Sequence, residues 1–400
     1  MATFSARFLG CKVSYADLRS MRERLLTDGH TELEDDGERG DVAVVNTCCV
    51  THEAVSKSRQ AVSRAARTHG RVYVTGCAAK LAGAFDGMPA NVEVVAKLGE
   101  EAADAIAGDV GAIACAQAEH RVGRTRAFVK IQDGCSFSCS FCVIPLVRGG
   151  TRSRRAAAVL EEIRRRVASG QREIVLTGVN LGCFRDQGAG YTLERLVREA
   201  GALPGVERLR LSSIEVNHLG PGIVAALRET PSAGRHLHVP LQSGDDRVLR
   251  AMSRRYDAAQ YLAKLEPLDD FNLTADVIVG FPGEDDTAFR RTLDVVRRAG
   301  ITKVHVFPYS PRPGTATAAA DTVPAAAKKE RSSRLRALSD ELCRRRWSSK
   351  LGTSDVVLVD RPGRGYAPDY SPWLVDAEVG DLVRARAVGL SEEGILAVAA

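Results

Sequence analysis

No run of about 18 apolar residues occurs in this chain, so nothing in it is built to cross a bilayer as a helix. The opening MATFSARFLGCKVSYADLRS lacks a basic stretch followed by an apolar one, the mark of a secretory leader, and the expected location is the cytoplasm. Ten cysteines in 400 residues are too sparse for a disulfide scaffold, and a reducing compartment argues the same way. No Walker-type loop, nucleophile elbow or kinase signature is present. Low-complexity tracts are missing as well. The formal net charge of +6 is too mild to imply nucleic acid by itself.

Charge distribution says more. Eight arginines fall within residues 144–172, among them Arg148, Arg152 and Arg154, and nine Lys or Arg against three acids fall within 328–350. Such clusters can meet phosphates, although solvated helix faces account for them equally well. With 44% hydrophobic and 26% charged residues, the chain has room for two or three domains with their own cores.

Three segments are expected. Residues 1–110 repeat a short apolar run followed by a helical stretch: FSARFLG, VAVVN and VYVTG alternate with stretches such as YADLRSMRERLLTDG. That alternation predicts a doubly wound parallel sheet. A cysteine follows each run within a few residues, at Cys11, Cys48 and Cys77. Ligands in open parallel sheets bind beyond the carboxyl ends of the strands, so three distant cysteines would meet on one edge. Residues 108–124 read as a linker. From 121 to 344, six strand candidates (AFVKIQ, EIVLTG, RLRLSS, HLHVPL, TADVIVG and KVHVFP) alternate with helices and predict a partial (β/α)6 barrel. From 345 to 400, short β-rich runs broken by Gly, Pro and Asp predict a small β-barrel.

DGCSFSCSFC places Cys135, Cys139 and Cys142 within eight positions. A closed zinc site needs four ligands, usually in two separated pairs, and no fourth Cys or His stands just beyond. Thiolates also hold iron–sulfur clusters, and three of them leave one iron open to a small molecule. Gly134 suits a tight turn, and Phe137 and Phe141 suit screening from water.

The spacing Cys-x3-Cys-x2-Cys after the first barrel strand resembles the radical S-adenosylmethionine (SAM) signature. In that superfamily SAM chelates the open iron and is cleaved by electron transfer to methionine and a 5′-deoxyadenosyl radical. GCSFSCSFCVIPLVRGGTRSR, together with FLGCKVS, NTCCVTHEA, VTGCAA, LTGVNLG, LSSIE, HVPLQSGDDRVLRAMSRRY, DVIVGFPGE and FPYSPRPGT, resembles the methylthiotransferases over nearly the whole chain. The branch acting on threonylcarbamoyl-adenosine in tRNA is the most similar.

The resemblance implies two [4Fe–4S] clusters and SAM. Cys135, Cys139 and Cys142 would hold the SAM-cleaving cluster, and Cys11, Cys48 and Cys77 an auxiliary cluster carrying the sulfur. One SAM would methylate that sulfur, and a second would generate the radical that opens C2 of the modified adenosine beside the anticodon. Spacing alone does not choose between Cys48 and Cys49; the family pattern Asn-Thr-Cys-x-Val-Thr selects Cys48. Polar contacts to SAM would come from Glu215, Gln242 and Ser243. Gly280 and Gly283 would admit the adenine or ribose, although a plain tight turn explains them as well. A tRNA substrate, a one-electron donor and a sulfur donor are the implied partners. Cys115, Cys183 and Cys343 match no ligand position, and His236 and His238 share one face of a strand as core or SAM-adjacent groups.

The last segment resembles the small RNA-binding (TRAM-like) barrel that ends these enzymes, with Tyr366, Tyr370 and Trp373 as stacking surfaces. Residues 348–400 nonetheless carry five basic against eight acidic residues, which is poor for phosphate binding. SSIEVN also departs from the tRNA branch, which usually has proline after the glutamate. Two alternatives stay open: the same chemistry on a protein or peptide, and a non-catalytic metal-bearing RNA-binding module.

Overall fold

The computed structural model describes residues 1–34, 38–112 and 125–400. The chain divides into two compact units. The first comprises Met1–Arg121, Asp133–Thr151 and Ser310–Ala318; the second comprises Val122–Gln132, Arg152–Tyr309 and Ala319–Ala400.

In the first unit, β1 (Thr3–Phe8), β2 (Thr31–Glu32), β3 (Gly40–Thr47), β4 (His69–Gly76) and β5 (Val92–Val94) form one sheet in the order β2-β1-β3-β4-β5. Every pairing is parallel. Helices α1 (Lys12–Thr27), α2 (His52–Thr68) and α3 (Gly99–Val110) cover the sheet. Strand β3 explains why cover is needed on both faces. Its neighbouring residues point opposite ways, so Val42 and Val44 join Leu18 and Met21 of α1 and Ile106 of α3. Ala43 and Val45 join Ala61 and Val62 of α2 instead. A strand apolar on both sides reads as a continuous run, and VAVV is one. The doubly wound sheet is therefore as expected. The linker is not, in its first residues: α3 reaches Val110, and residues 113–124 with Cys115 lie outside the described residues.

Six parallel strands of the second unit are Arg126–Lys130, Glu173–Thr177, Arg208–Leu211, His236–His238, Asn272–Val279 and Ile301–Pro308. Glu173–Thr177 is central in one parallel trio and Asn272–Val279 in another. Parallel bridges Leu209↔Ala233 and Ser213↔His238 join the trios. With helices between successive strands, this is the expected partial (β/α)6 barrel. Val129, Leu176, Leu211, Leu237 and Ala275 contribute to its single core.

Five further strands, Ser354–Arg361, Arg364–Tyr366, Pro372–Leu374, Leu382–Leu390 and Ile395–Ala399, close into a small barrel around Trp373, which is fully buried. Its loops sit on the amino ends of the six parallel strands. Arg208 donates to the carbonyls of Tyr366 (2.6 Å) and Val356 (2.8 Å), Arg210 to those of Ala367 and Pro368 (both 2.8 Å), and Asn272 to that of Asp369 (2.8 Å). Tyr366 and Tyr370 stack at 4.8 Å between ring centroids, and Tyr370 also lies against His236 and the Arg210 guanidinium. Trp373 donates to the Ser371 hydroxyl. The expectation that these three rings offer stacking surfaces to RNA is corrected: Tyr370 and Trp373 are spent inside the unit, and Tyr366 stacks on Tyr370. Among the described residues, no helix is long and apolar enough to cross a membrane.

Candidate metal centre and cofactor site

The register of the first sheet brings the three strand-end cysteines together. Phe8 pairs with Asn46, and Thr47 with Gly76, so the chain leaves β1, β3 and β4 at one level, immediately before Cys11, Cys48 and Cys77. Cys11 caps the amino end of α1 and is exposed, Cys48 is half-buried, and Cys77 is buried. The Cys11 sulfur lies 3.7 Å from the Ser14 hydroxyl. Burial pushes the Cys48 thiol up to about 11, with Cys77 and Cys11 adding to the rise. Cys77 moves the other way. The Cys49 thiol donates to it, and the Arg148 guanidinium favours its thiolate against burial. Cys49 is fully buried in the core, and its thiol is pushed up by that bond. It acts as a donor to the neighbouring sulfur.

The loop of Cys135, Cys139 and Cys142 belongs to this same unit. All three are half-buried, as are Phe137 and Phe141. The loop closes because residue 134 is glycine: at φ +69°, a Cβ there would run into the carbonyls of Gly149 and Gly150. That approach lets the Cys135 amide donate to the Gly149 carbonyl at 3.0 Å. Ser136 and Thr151 exchange two further bonds of 3.2 and 3.0 Å, and Thr317 donates twice to the Ser140 carbonyl. Val143 and Val147 then bury against Cys77, Ala78 and Ala79.

Arg148, one of the cluster expected to meet phosphates or form a solvated face, is buried instead. It is 2% exposed, with ion pairs to Asp17 (2.8 Å) and Asp133 (2.9 Å) and a bond to the Cys77 sulfur (3.1 Å). A buried cation needs such partners, because taking it out of water is costly. Arg154 pairs with Glu162 at 2.6 Å, and Arg152 is exposed. Sequence periodicity gave no signal for the Arg148 cluster, since one of its two carboxylate partners, Asp17, is 131 residues away.

The other sequence-predicted site residues lie in the second unit, past the carboxyl ends of successive strands. Glu215 follows Arg208–Leu211 and is ion-paired to Arg254; burial raises its carboxyl pKa against that partner. Gln242 follows His236–His238 with φ +66°, a conformation that non-glycine residues rarely adopt. Its amide donates to Asp276 and its carbonyl accepts from Ile278, so the strained residue is held at both ends. Ser243 is fully buried, its hydroxyl accepting from the Asp245 amide at 3.2 Å. At Gly280 the stem of Lys328 lies where a Cβ would be, so internal packing already requires that glycine; Gly283 faces open space. His236 and His238 both bond the Thr274 hydroxyl at 3.0 Å, which matches their expected shared face.

Residues 129–296 match the radical SAM superfamily, and residues 3–95 match the family described as uncharacterized protein family UPF0004. The chain is a radical SAM enzyme. Over 99% of its length it is 34% identical to 96% of the threonylcarbamoyladenosine tRNA methylthiotransferase MtaB of Thermotoga maritima. The Bacillus subtilis enzyme of the same name is 36% identical over 86% of this chain and 82% of its own. The tRNA-2-methylthio-N(6)-dimethylallyladenosine synthase of Novosphingobium aromaticivorans is 35% identical over 95% of this chain and 94% of its own. The chain belongs to the radical SAM tRNA methylthiotransferase family. Among solved structures, the radical SAM methyltransferase TsrM of Kitasatospora setae has a similar fold, with a TM-score of 0.56 at 14% identity over 79% of this chain and 74% of that one.

Two [4Fe–4S] clusters and SAM are the cofactors of this family, and the residues present fit them. Among the described residues no three His, Cys, Asp or Glu side chains are grouped to hold a single metal ion. A cubane asks for something different, because each thiolate bonds a separate iron. Cys77 is favoured as thiolate, the form that binds metal. Asn46, the fully buried penultimate residue of β3, has no partner among the described residues for either end of its side-chain amide. A buried amide left open in this way beside the cysteine edge suits a polar or charged group bound there.

Proposed function

We propose that this enzyme inserts a methylthio group at C2 of N6-threonylcarbamoyladenosine beside the anticodon of tRNA. The observation that carries the reading is the likeness, over nearly the full chain, to the Thermotoga maritima methylthiotransferase, joined to two separate sets of three cysteines. Cys135, Cys139 and Cys142 hold the SAM-binding cluster, and Cys11, Cys48 and Cys77 hold the auxiliary one. Bound there, the clusters and SAM supply reductive SAM cleavage and the sulfur atom. The protein's own part is to favour the Cys77 thiolate through Arg148 and to keep the loop closed. Glu215, Gln242, Ser243, Gly280 and Gly283 remain the proposed SAM-side positions, with Gln242 the best supported because its strained backbone sits at a strand end. Functionally the chain reads as a methylthiotransferase segment (1–110), a radical SAM segment (121–344) and a terminal barrel (345–400), working in the cytoplasm with external electron and sulfur donors.

RNA contact falls to the exposed bases of the helix Ala325–Ser348, namely Lys329, Arg334, Arg336, Arg344 and Arg345. Lys328 and Arg331 of the same helix are committed to Asp321 and Glu284. A second reading, with dimethylallyl-adenosine as substrate, is favoured by the Novosphingobium relative, which is as similar as the others. Mass spectrometry of nucleosides after anaerobic reaction with SAM, a reductant and each tRNA separates them. A methylthio increment on threonylcarbamoyl-adenosine alone supports the first reading. An increment on the dimethylallyl nucleoside alone replaces it, and an increment on neither, from protein with intact clusters that cleaves SAM, turns the search to peptides.

A further inference from the structure

A single buried guanidinium bonds a cysteine of one set and the start of the loop that carries the other. Arg148 ends the short helix Ile144–Arg148 that follows Cys142, and its side chain is 1% exposed. Its Nη1 donates to both oxygens of Asp133 (2.9 and 3.1 Å), two residues before Cys135. The Nη2 donates to Asp17 at 2.8 Å and reaches Ser14 at 3.4 Å, and Ser14 in turn lies 3.7 Å from the Cys11 sulfur. Finally, the Nε donates to the Cys77 sulfur at 3.1 Å. Every donor nitrogen is thus used, and one of them is used on sulfur.

The guanidinium is ion-paired without that last bond. Asp17, fully buried, and Asp133 both pair with it. A brace serving stability alone would be complete with the two carboxylates. An N–H donor aimed at a ligand sulfur withdraws charge from it, stabilises the reduced form of the cluster and raises its potential. The guanidinium's planar fork is what allows three directions to be served at once, which a lysine ammonium on its flexible stem does not reproduce.

We propose that Arg148 is a positioning residue that tunes the auxiliary cluster: it orients Cys77, sets the reduction potential through the Nε–sulfur bond, and ties that cluster to the loop of Cys135, Cys139 and Cys142. The proposal rests on Cys11, Cys48 and Cys77 being the auxiliary ligands. Its chemistry is a hydrogen bond to a metal-bound thiolate, with no bond made or broken.

The test uses full-length protein carrying Cys139→Ala, so that the auxiliary cluster is the one cluster observed, reconstituted anaerobically with iron and sulfide. The midpoint potential is read by EPR-monitored redox titration with and without Arg148→Lys. A lower potential and altered g-values in the lysine variant, at unchanged iron content and near-UV circular dichroism, are the expected result. An unchanged potential and spectrum in that folded, cluster-bearing variant overturns the proposal. If Arg148→Lys does not fold, Arg148→Gln combined with Asp17→Asn removes the cation together with its buried counter-charge, and the same two outcomes decide. The ligand assignment is checked separately: Cys11→Ala in the Cys139→Ala background should lose the remaining cluster. Retention of that cluster refutes the ligand set itself, whatever Arg148 does.

Discussion

At the scale of single residues, the two cysteine sets predict different losses. Cys139→Ala should abolish SAM cleavage, read as deoxyadenosine released by reduced protein. Cys48→Ala should leave SAM cleavage within about twofold of the parent and end methylthio insertion, read on the tRNA nucleosides. Equal loss of SAM cleavage in both folded variants would remove the division of labour between the sets. Cys49 and Cys48 were indistinguishable by spacing, and the fold separates them: Cys48 faces partly outward, whereas Cys49 is sealed in the core as a donor to Cys77. Cys49→Ser should therefore keep both clusters, checked by iron content. The proposed cluster cysteines were legible as candidates, Cys135, Cys139 and Cys142 through local spacing and Cys11, Cys48 and Cys77 through strand-end placement. Arg148 and the Glu215–Arg254 pair were not, because ion-pair partners are chosen by folding across long separations.

Among the elements, the loop between the first barrel strand and the helix Ile144–Arg148 is the most constrained. Gly134 lies in the left-handed region with two carbonyls where a side chain would begin. Gly134→Ala adds strain of roughly 1–3 kcal/mol before any clash is counted. The expected outcome is loss of the SAM-side cluster with retention of the auxiliary one, about half the iron per chain, measured by colorimetric iron assay. Full iron with normal SAM cleavage would mean the loop does not need its closure. The glycine itself was visible in the sequence as a turn signal. What it turns against, Gly149 and Gly150, was not. The long helix Ala325–Ser348 makes the same point in charge: it carries eight of the nine bases counted in 328–350, yet Lys328 and Arg331 are buried and paired.

Across the whole second unit, the terminal barrel is clamped to the strand bases by one buried carboxylate. Glu173 is fully buried beside Arg126, Arg208 (3.6 Å) and Arg210 (3.0 Å). Burial alone would raise its carboxyl pKa, but Arg210, Arg126 and Arg208 outweigh that and bring it down to about 2. A depressed carboxylate contributes stability above its unfolded pKa, near 4.5, and that contribution is lost as the pH falls from there toward 2. Both tryptophans, Trp347 and Trp373, lie in or against the barrel core, so intrinsic fluorescence reports its detachment. The signal should hold above about pH 5 and change between pH 4.5 and 2, with Glu173→Gln abolishing most of that dependence. A change centred near neutrality, or an unaltered profile in Glu173→Gln, would assign the clamp elsewhere.

Strand–helix alternation, the six barrel strands and the closing β-barrel followed from the sequence, because periodicity and turn residues are written along the chain. Tertiary structure decided where charge and aromatic surface went. Arg148, Arg208 and Arg210 became buried braces, and Tyr370 and Trp373 became packing. The physical reason is the same throughout. A charge or ring gains or loses its solvent according to what the fold lays against it, and those neighbours come from distant parts of the chain.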